Sequence, residues 1–276
     1  MYQEEYRKAR QMGLKEAKFC QSKGVSPYLP VLDEILAVES TCGEVDLGLV
    51  DVPMELIVGT RSAGRSQAMS HSFMPLMAED SEFAAKWVTL CRAHMEEGIS
   101  DPIKVYEYMH TFYVVEGHKR VSVLRYFGAV SIPAYVTRVL PARDGSKASN
   151  IYYEYVDFYR LSGVNYLWFS AVGRFARLQA AVGKGPEELW TEEDRRKFYS
   201  FYHGFTTLYG DKSAKDLAGR MTTGDAILLY LDLFEYDQVK NYSQGQLKAG
   251  FQQLHKAFSV KKTLPDLNPL KGLLGR

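Results

Sequence analysis

The stretch from residue 103 to residue 139 narrows the possible folds more than any other part of the chain. Its apolar pattern predicts a tight hairpin of two strands, Ile103–Met109 and Thr111–Val115. A glycine turn and a helix follow, and then a third strand over 130–139. Pro133 lies inside that last strand and favours a position at the edge of a sheet, where its missing N–H costs least. This order predicts a small mixed sheet with a helix packed against it.

The rest of the chain is mostly helical in pattern. The fold class we predict is therefore α+β, a small mixed sheet with helices followed by an all-helical C-terminal domain. The boundaries are N-terminal helices over 1–43, the sheet domain over 44–143, a helical domain over 150–258 and a tail or linker over 259–276. Strand-like alternation in the sheet domain begins over 44–58. Within the helical domain we predict helices near 150–162, 165–182, 191–209, 213–220, 224–235 and 238–258.

Aromatic residues are concentrated in the predicted helical domain. Of the 36 Phe, Trp and Tyr residues, 22 lie between positions 150 and 258. Aromatic side chains can stack on nucleic-acid bases. The helical spacing of Phe198, Phe201, Tyr202 and Phe205 instead favours packing, either in a core or against a partner protein or a second copy of the chain.

Charge and cysteine content restrict the function classes. Lys and Arg total 34 and Asp and Glu total 33, so the net charge of +1 argues against a broad nucleic-acid or anionic membrane surface. No run of 18 apolar residues exists, which predicts no membrane span. Three widely spaced cysteines and a charged N-terminus without an apolar signal core indicate a cytoplasmic protein.

The turn from Glu116 to Arg120 is the strongest candidate binding site. A strand that passes through glycine into a helix leaves backbone N–H groups unpaired, and these attract anions together with the helix dipole. Gly117 permits close backbone approach, Arg120 can hold a phosphate with two hydrogen bonds, and Lys119 adds positive charge. His118 can donate or shuttle a proton, and Glu116 can hold Mg²⁺ or act as a base. The alternative is an ordinary solvated surface turn.

A second candidate is the polar loop that starts near Thr60. It carries Arg61, Gly64, Arg65 and Ser66, and two arginines four residues apart could close over a phosphate group. The alternative is an exposed loop with solvated charges. Neither the histidine spacing nor the glycine-rich stretch 183–186 matches a metal or nucleotide-binding motif.

Residues 45–140 resemble the ParB/sulfiredoxin-like superfamily. The resemblance is carried by an ordered series of short segments rather than by one long motif. These segments are Glu97–Val105, Phe112–Arg120, Leu124–Gly128 and Ile132–Val136. The resemblance implies that residues 44–143 form a ParB/sulfiredoxin-like domain. It also implies that Gly117, His118, Lys119 and Arg120 contact nucleotide phosphates and that Glu116 occupies a position used for metal or catalysis.

Departures from the family pattern limit which activities of the superfamily are expected of this chain. Sulfiredoxins need a cysteine where this chain has Gly117, so sulfinic-acid reduction is not expected. ParB partition proteins carry a DNA-binding helix-turn-helix, and the candidate here joins Ser213–Ala218 to a second helix, 226–234. That second helix is apolar and lacks Lys and Arg, which favours core over DNA recognition. A serine-phosphorylating branch has an acidic-Gly-His-x-Arg turn similar to residues 116–120.

The leading prediction is a regulatory domain that binds a nucleotide or other phosphorylated small molecule at residues 116–120. The first alternative is a nucleotide-dependent small-molecule kinase or phosphohydrolase, with Glu116 and His118 catalytic and Mg²⁺ bound at Glu116. The second is a DNA-binding regulator of the ParB type, which the neutral charge disfavours. The chain also resembles the front part of bacterial proteins in which such a domain precedes a solute-binding domain of the basic membrane protein type.

Overall fold

The computed structural model describes residues 1–209 and 221–260. The chain divides into two compact units, Met1–Asp144 and Gly145–Arg276. The first unit contains a sheet, and the predicted N-terminal helices belong to the same unit. The second unit is helical over its described residues.

The first unit is built on a five-stranded mixed sheet. Its strands are β1 (Thr41–Pro53), β2 (Ile57–Thr60), β3 (Ile103–Tyr108), β4 (Thr111–Glu116) and β5 (Ser131–Pro141). They lie in the order β1-β5-β3-β4-β2. The β1–β5 and β3–β4 pairs are antiparallel, whereas β3–β5 and β2–β4 are parallel. The helices of this unit are α1 (Tyr2–Ser22), α2 (Leu32–Leu36), α3 (Glu82–Glu96) and α4 (His118–Tyr126).

The predicted succession of hairpin, glycine turn, helix and strand is confirmed. The predicted edge position of β5 is wrong, because β5 lies between β1 and β3. Its pairing with β3 begins at Ala134, one residue after Pro133, so the proline precedes that ladder. The strand-like stretch 44–58 forms two strands at opposite edges of the sheet, since a short 3₁₀ turn over Met54–Leu56 interrupts it.

Helix α4 packs on one face of the sheet. Its Val121 and Leu124 join a buried cluster with apolar residues of all five strands, including Val105 and Val114. On its other side, α4 contacts α3, where the Trp87 Nε1–H donates a hydrogen bond of 2.9 Å to Ser122 Oγ. Burial on both sides fixes the start of α4 at the end of β4, and the candidate turn lies there.

The second unit contains the helices α5 (Lys147–Ser162), α6 (Arg174–Ala181), α7 (Glu192–Tyr209), α8 (Thr223–Leu233), α9 (Tyr236–Val239) and α10 (Gln244–Val260). Their aromatic side chains form much of its core. Phe198, Phe201 and Phe205 are almost completely buried, and Phe205 lies 5.4 Å from Tyr230 between ring centroids. This confirms that the helical spacing of these residues reflects packing. No helix among the described residues is both long enough and apolar enough to cross a membrane.

The predicted helix over 165–182 is wrong in its first half. The structure has a helix only over Arg174–Ala181. In the preceding segment, backbone N–H groups bind side chains instead of helical carbonyls: Ser170 donates to Asp225 and Gly173 donates to Glu154. Gly173 has φ +83°, a left-handed conformation that sets the start of α6.

The predicted helix over 238–258 is divided into α9 and α10. Ser243 separates the two, and its N–H and hydroxyl both donate to Gln246 Oε1, at 2.9 Å each. This Ser-x-x-Gln pair is a capping box that begins a new helix. The predicted helix 213–220, the first half of the helix-turn-helix candidate and the tail beyond 260 lie outside the described residues. The candidate recognition helix corresponds to α8, whose Ala226, Ile227 and Leu228 are buried, as predicted for core.

Candidate functional site

The turn between β4 and α4 has the geometry of an anion site. Gly117 has φ +103°, and a Cβ built on it would lie 2.4 Å from Ile103 Cγ2, so only glycine fits. No side chain caps α4, and its first helical hydrogen bond runs from the Val121 N–H to the Gly117 carbonyl. The N–H groups of the preceding residues therefore point out of the helix start, at the positive end of its dipole.

A cleft of about 200 Å³ opens in front of this helix start. It is lined by residues 115–120, by Arg65 and Met69 of the preceding loop, and by Phe83 and Leu90 of α3. The structure therefore brings together Arg65 and the turn residues that the sequence selected. The apolar side chains of α3 make one wall of the cleft hydrophobic.

Positive charge is concentrated beside the cleft. The Nζ atom of Lys119 lies 4.8 Å from the centre of the Phe83 ring and makes a cation–π contact with it. Partial burial lowers the pKa of Lys119, and the nearby charges of Arg65 and Lys86 lower it further. The carboxylate of Glu82 opposes these three cations and is paired with Lys86 at 2.5 Å. The local excess of positive charge makes an anionic ligand favourable.

His118 is buried and connects α4 to the sheet. Its Nε2 lies 2.8 Å from Thr60 Oγ1 at the end of β2. Burial lowers the pKa of His118 to about 4, with further lowering by Arg65 and Lys119. The imidazole is therefore neutral near pH 7, and it lines the cleft as a neutral hydrogen-bonding group rather than as a cation.

Arg120 and Glu116 are both engaged with protein groups. Arg120 Nη1 donates to the carbonyls of Asp101 and Pro102, at 3.1 and 2.5 Å, and so fixes the loop before β3. Glu116 is exposed and pairs with Lys104 at 2.9 Å, which lowers the pKa of the carboxyl. Among the described residues, no three His, Cys, Asp or Glu side chains cluster as metal ligands. Glu116 is thus an ionised carboxylate at the rim of the cleft.

The two arginines of the polar loop are separated by the structure. Arg61 Nε pairs with Asp33 of α2 at 2.6 Å, and its guanidinium lies 4.1 Å from the Tyr106 ring centre. Tyr106 packs with α2 in a cluster distinct from the one that buries α4, so Arg61 points to the other face of the sheet. Ser66 is buried, and its hydroxyl donates to the Ala63 carbonyl at 2.8 Å. Of these three residues, only Arg65 lines the cleft.

Sequence reasoning missed the contributions of α3 and β2. Glu82 and Lys86 form an i,i+4 pair on α3, a pattern typical of any exposed helix surface. Thr60 lies 58 residues before His118, and nothing local in the sequence joins the two. The tertiary fold alone brings these residues to the turn.

No protein-family model matches this chain, and a search of curated proteins finds no match either.

Proposed function

We propose that this protein binds a nucleotide or another phosphorylated small molecule in the cleft before α4. One observation carries the proposal. Arg65 and Lys119 flank the uncapped start of the helix, and no carboxylate of the described residues lies within ion-pair distance of either. Placing two such cations together costs electrostatic free energy in the free protein, and a bound dianion would relieve that cost.

The donor set suits a phosphate group. The N–H groups at the start of α4 would donate to its oxygens, while Lys119 and Arg65 would neutralise its charge. Arg120 would support the turn through the carbonyls of residues 101 and 102 rather than provide the main contact. The cleft, at about 200 Å³, is smaller than a typical whole-ligand pocket, so the rest of a nucleotide would extend beyond it.

The ParB/sulfiredoxin-like resemblance supports the same proposal. That superfamily binds nucleotide phosphates at its Gly-x-x-Arg turn, which corresponds here to residues 117–120. We therefore propose a ParB-like domain in a cytoplasmic bacterial protein, with ligand binding that regulates a partner or a second copy of the chain. The helical unit is the proposed contact for that partner.

Binding is preferred to turnover because of the state of the two candidate catalytic groups. Glu116 has a lowered pKa and is a weak base, and His118 is buried and bonded to Thr60. A kinase or phosphohydrolase would need Mg²⁺ held between Glu116 and the ligand's own phosphates. Hydrolysis or transfer from ATP or CTP that is abolished in Glu116→Gln would establish that alternative.

Calorimetric titration of the full chain with phosphate, pyrophosphate, ADP, ATP and CTP, with and without Mg²⁺, tests the binding proposal. Lys119→Met and Arg65→Met should each weaken binding of the best ligand by about tenfold, the loss expected for one charge-assisted contact. Lys197→Met is the control, because Lys197 is a half-exposed lysine of the second unit that pairs with Glu193 and does not line the cleft. Failure of every phosphate compound to bind, or equal binding by the control and the cleft variants, would refute the proposal.

A further inference from the structure

A cavity of about 450 Å³ lies within the second unit, between α5 and α6. The turn that contains Pro186 closes one end of it. Its volume falls within the range of pockets that enclose small molecules. Nothing in the proposed phosphate site involves these residues.

The base of the cavity is apolar. Phe158 and Leu161 of α5 and Phe175 of α6 line it, and each is at least nine-tenths buried. The space exists because α6 presents Ala176 and Ala180, one turn apart, where larger side chains would fill it. Both alanines are exposed to this space, so an apolar ligand would cover them, above an aromatic layer that is already almost completely buried.

The rim of the cavity has an excess of negative charge. Of its two cations, Arg160 pairs with Glu187 at 3.0 Å, while Lys184 pairs with Glu188 and Asp194 at 2.9 and 2.8 Å. Both cations are thus neutralised.

Two further carboxylates, those of Glu154 and Asp157, lie on the same rim. Glu154 accepts hydrogen bonds from the Gly173 N–H, whereas Asp157 has no ion-pair partner in the part of the chain that the structure describes. A ligand with one positive charge would therefore meet an unneutralised carboxylate next to an apolar surface.

We infer that this cavity is a binding site for a small organic cation, an amine with an aromatic or aliphatic body. The body lies against Ala176 and Ala180, above Phe158 and Phe175, and the ammonium group lies at Asp157 with Glu154 nearby. Apolar contact supplies affinity, and the carboxylates select for positive charge over neutral or negative analogues.

Three probes of similar shape test the inference on the full chain by ligand-observed NMR at low ionic strength: phenethylammonium, 2-phenylethanol and phenylacetate. Phenethylammonium should bind roughly threefold to fivefold more tightly than the alcohol, the range for one partly exposed ion pair, and phenylacetate should bind most weakly. Asp157→Asn should reduce the affinity for the cation to that for the alcohol. Glu235→Gln, which alters an exposed acid away from the cavity, should change neither.

A second variant tests whether the probes bind inside the cavity, without changing the charge of its rim. Ala180→Phe fills the space from an exposed helical position, so it should leave the thermal midpoint close to that of the wild type while weakening all three probes by about tenfold. The inference is overturned if no probe binds, if the alcohol or the acid binds as tightly as the cation, or if either variant at the cavity binds phenethylammonium as the wild type does.

Discussion

Thr60 and His118 join the last residue of β2 to the first residue of α4 through a buried hydrogen bond of 2.8 Å. Thr60 Oγ1 also lies 3.2 Å from the Ser62 carbonyl and 3.4 Å from the Val114 carbonyl. The hydroxyl can therefore donate to a carbonyl while it accepts from a protonated Nε2. This contact holds the side chain of His118 against the sheet at the back of the proposed phosphate cleft.

Thr60→Val should destabilise the first unit, because it leaves the buried imidazole without its partner. The free energy of unfolding should fall by about 1–3 kcal/mol, the cost of an unsatisfied buried polar group. Urea denaturation followed by circular dichroism measures the change. Thr60→Ser keeps the hydroxyl and should recover most of the loss; equal losses for Val and Ser would show that the hydrogen bond contributes little.

His118 should make stability depend on pH. Its pKa is about 4 in the folded chain, below the unfolded value near 6.5, so as pH falls the unfolded state takes up the proton first. The contribution of His118 to the free energy of unfolding is at its maximum above about pH 6.5. It is lost progressively as the pH falls towards 4, by up to roughly 3 kcal/mol. The charged groups that face His118 are Arg65 and Lys119, and both disfavour the imidazolium in the folded chain.

The measurement is urea denaturation at intervals between pH 7 and pH 4.5 for the wild type and His118→Gln. Glutamine retains a hydrogen-bonding group but does not titrate. The stability difference between the two proteins should change with pH in favour of the wild type at high pH. Parallel stability curves would contradict the assignment of this pH dependence to His118.

Gly117→Ala should disrupt the turn before α4. The substitution combines a left-handed backbone, φ +103°, with a clash of the new Cβ against Ile103, and should cost at least about 3 kcal/mol. Gly128→Ala is the matched control, since Gly128 has φ +76° but open space around it. Gly128→Ala should lower the free energy of unfolding only by the cost of a left-handed backbone, about 1–2 kcal/mol. Chemical denaturation of both variants checks the difference, which should vanish if Ile103 can move aside.

The parts of the fold that were predicted correctly are those with local signals. The hairpin, the glycine turn and α4 follow one another directly, and alternation and turn residues define each of them. The segment before α6 was predicted wrongly because its backbone partners, Glu154 and Asp225, come from distant positions. The position of β5 was wrong because Pro133 precedes the β3 ladder by one residue, a register that no local pattern specifies.

The candidate site, like the fold, was predicted correctly only in part. Sequence identified the turn and Arg65, but it also grouped Arg61 with them. Arg61 follows β2 directly and points to the opposite sheet face, where Asp33 and Tyr106 hold it. The chain leaves the extended conformation between the two arginines, since Ala63–Ala68 form a 3₁₀ helix, so a spacing of four residues does not place Arg61 and Arg65 in one site.

The buried ion pair between Glu107 and Arg138 should be important for the first unit. These residues are directly paired between β3 and β5, their charged groups are 2.5 Å apart, and Glu107 also accepts from the His110 N–H. Arg138→Met leaves a buried carboxylate and should cost about 3–5 kcal/mol.

The double variant Glu107→Gln with Arg138→Met tests the origin of that cost. Glutamine removes the charge but retains an acceptor for the His110 N–H, so the double variant should be more stable than Arg138→Met alone. Thermal and urea denaturation of the single and double variants provide the comparison. A double variant that is less stable than Arg138→Met would show that the loss arises from packing instead of an unpaired charge.

Lys119→Met should weaken phosphate binding by about tenfold without lowering stability. Burial and the charges of Arg65 and Lys86 disfavour the ammonium in the free protein, and Met retains the apolar contact with Phe83. The variant should therefore unfold at an equal or higher urea concentration than the wild type at low salt, and added salt should narrow the gap by screening the repulsion. Arg120→Met is the contrast, because it frees the carbonyls of Asp101 and Pro102 and should reduce both stability and binding. If Lys119→Met were clearly destabilised, Lys119 would be a structural residue of the free protein, and a bound phosphate would have no repulsion at Lys119 to relieve.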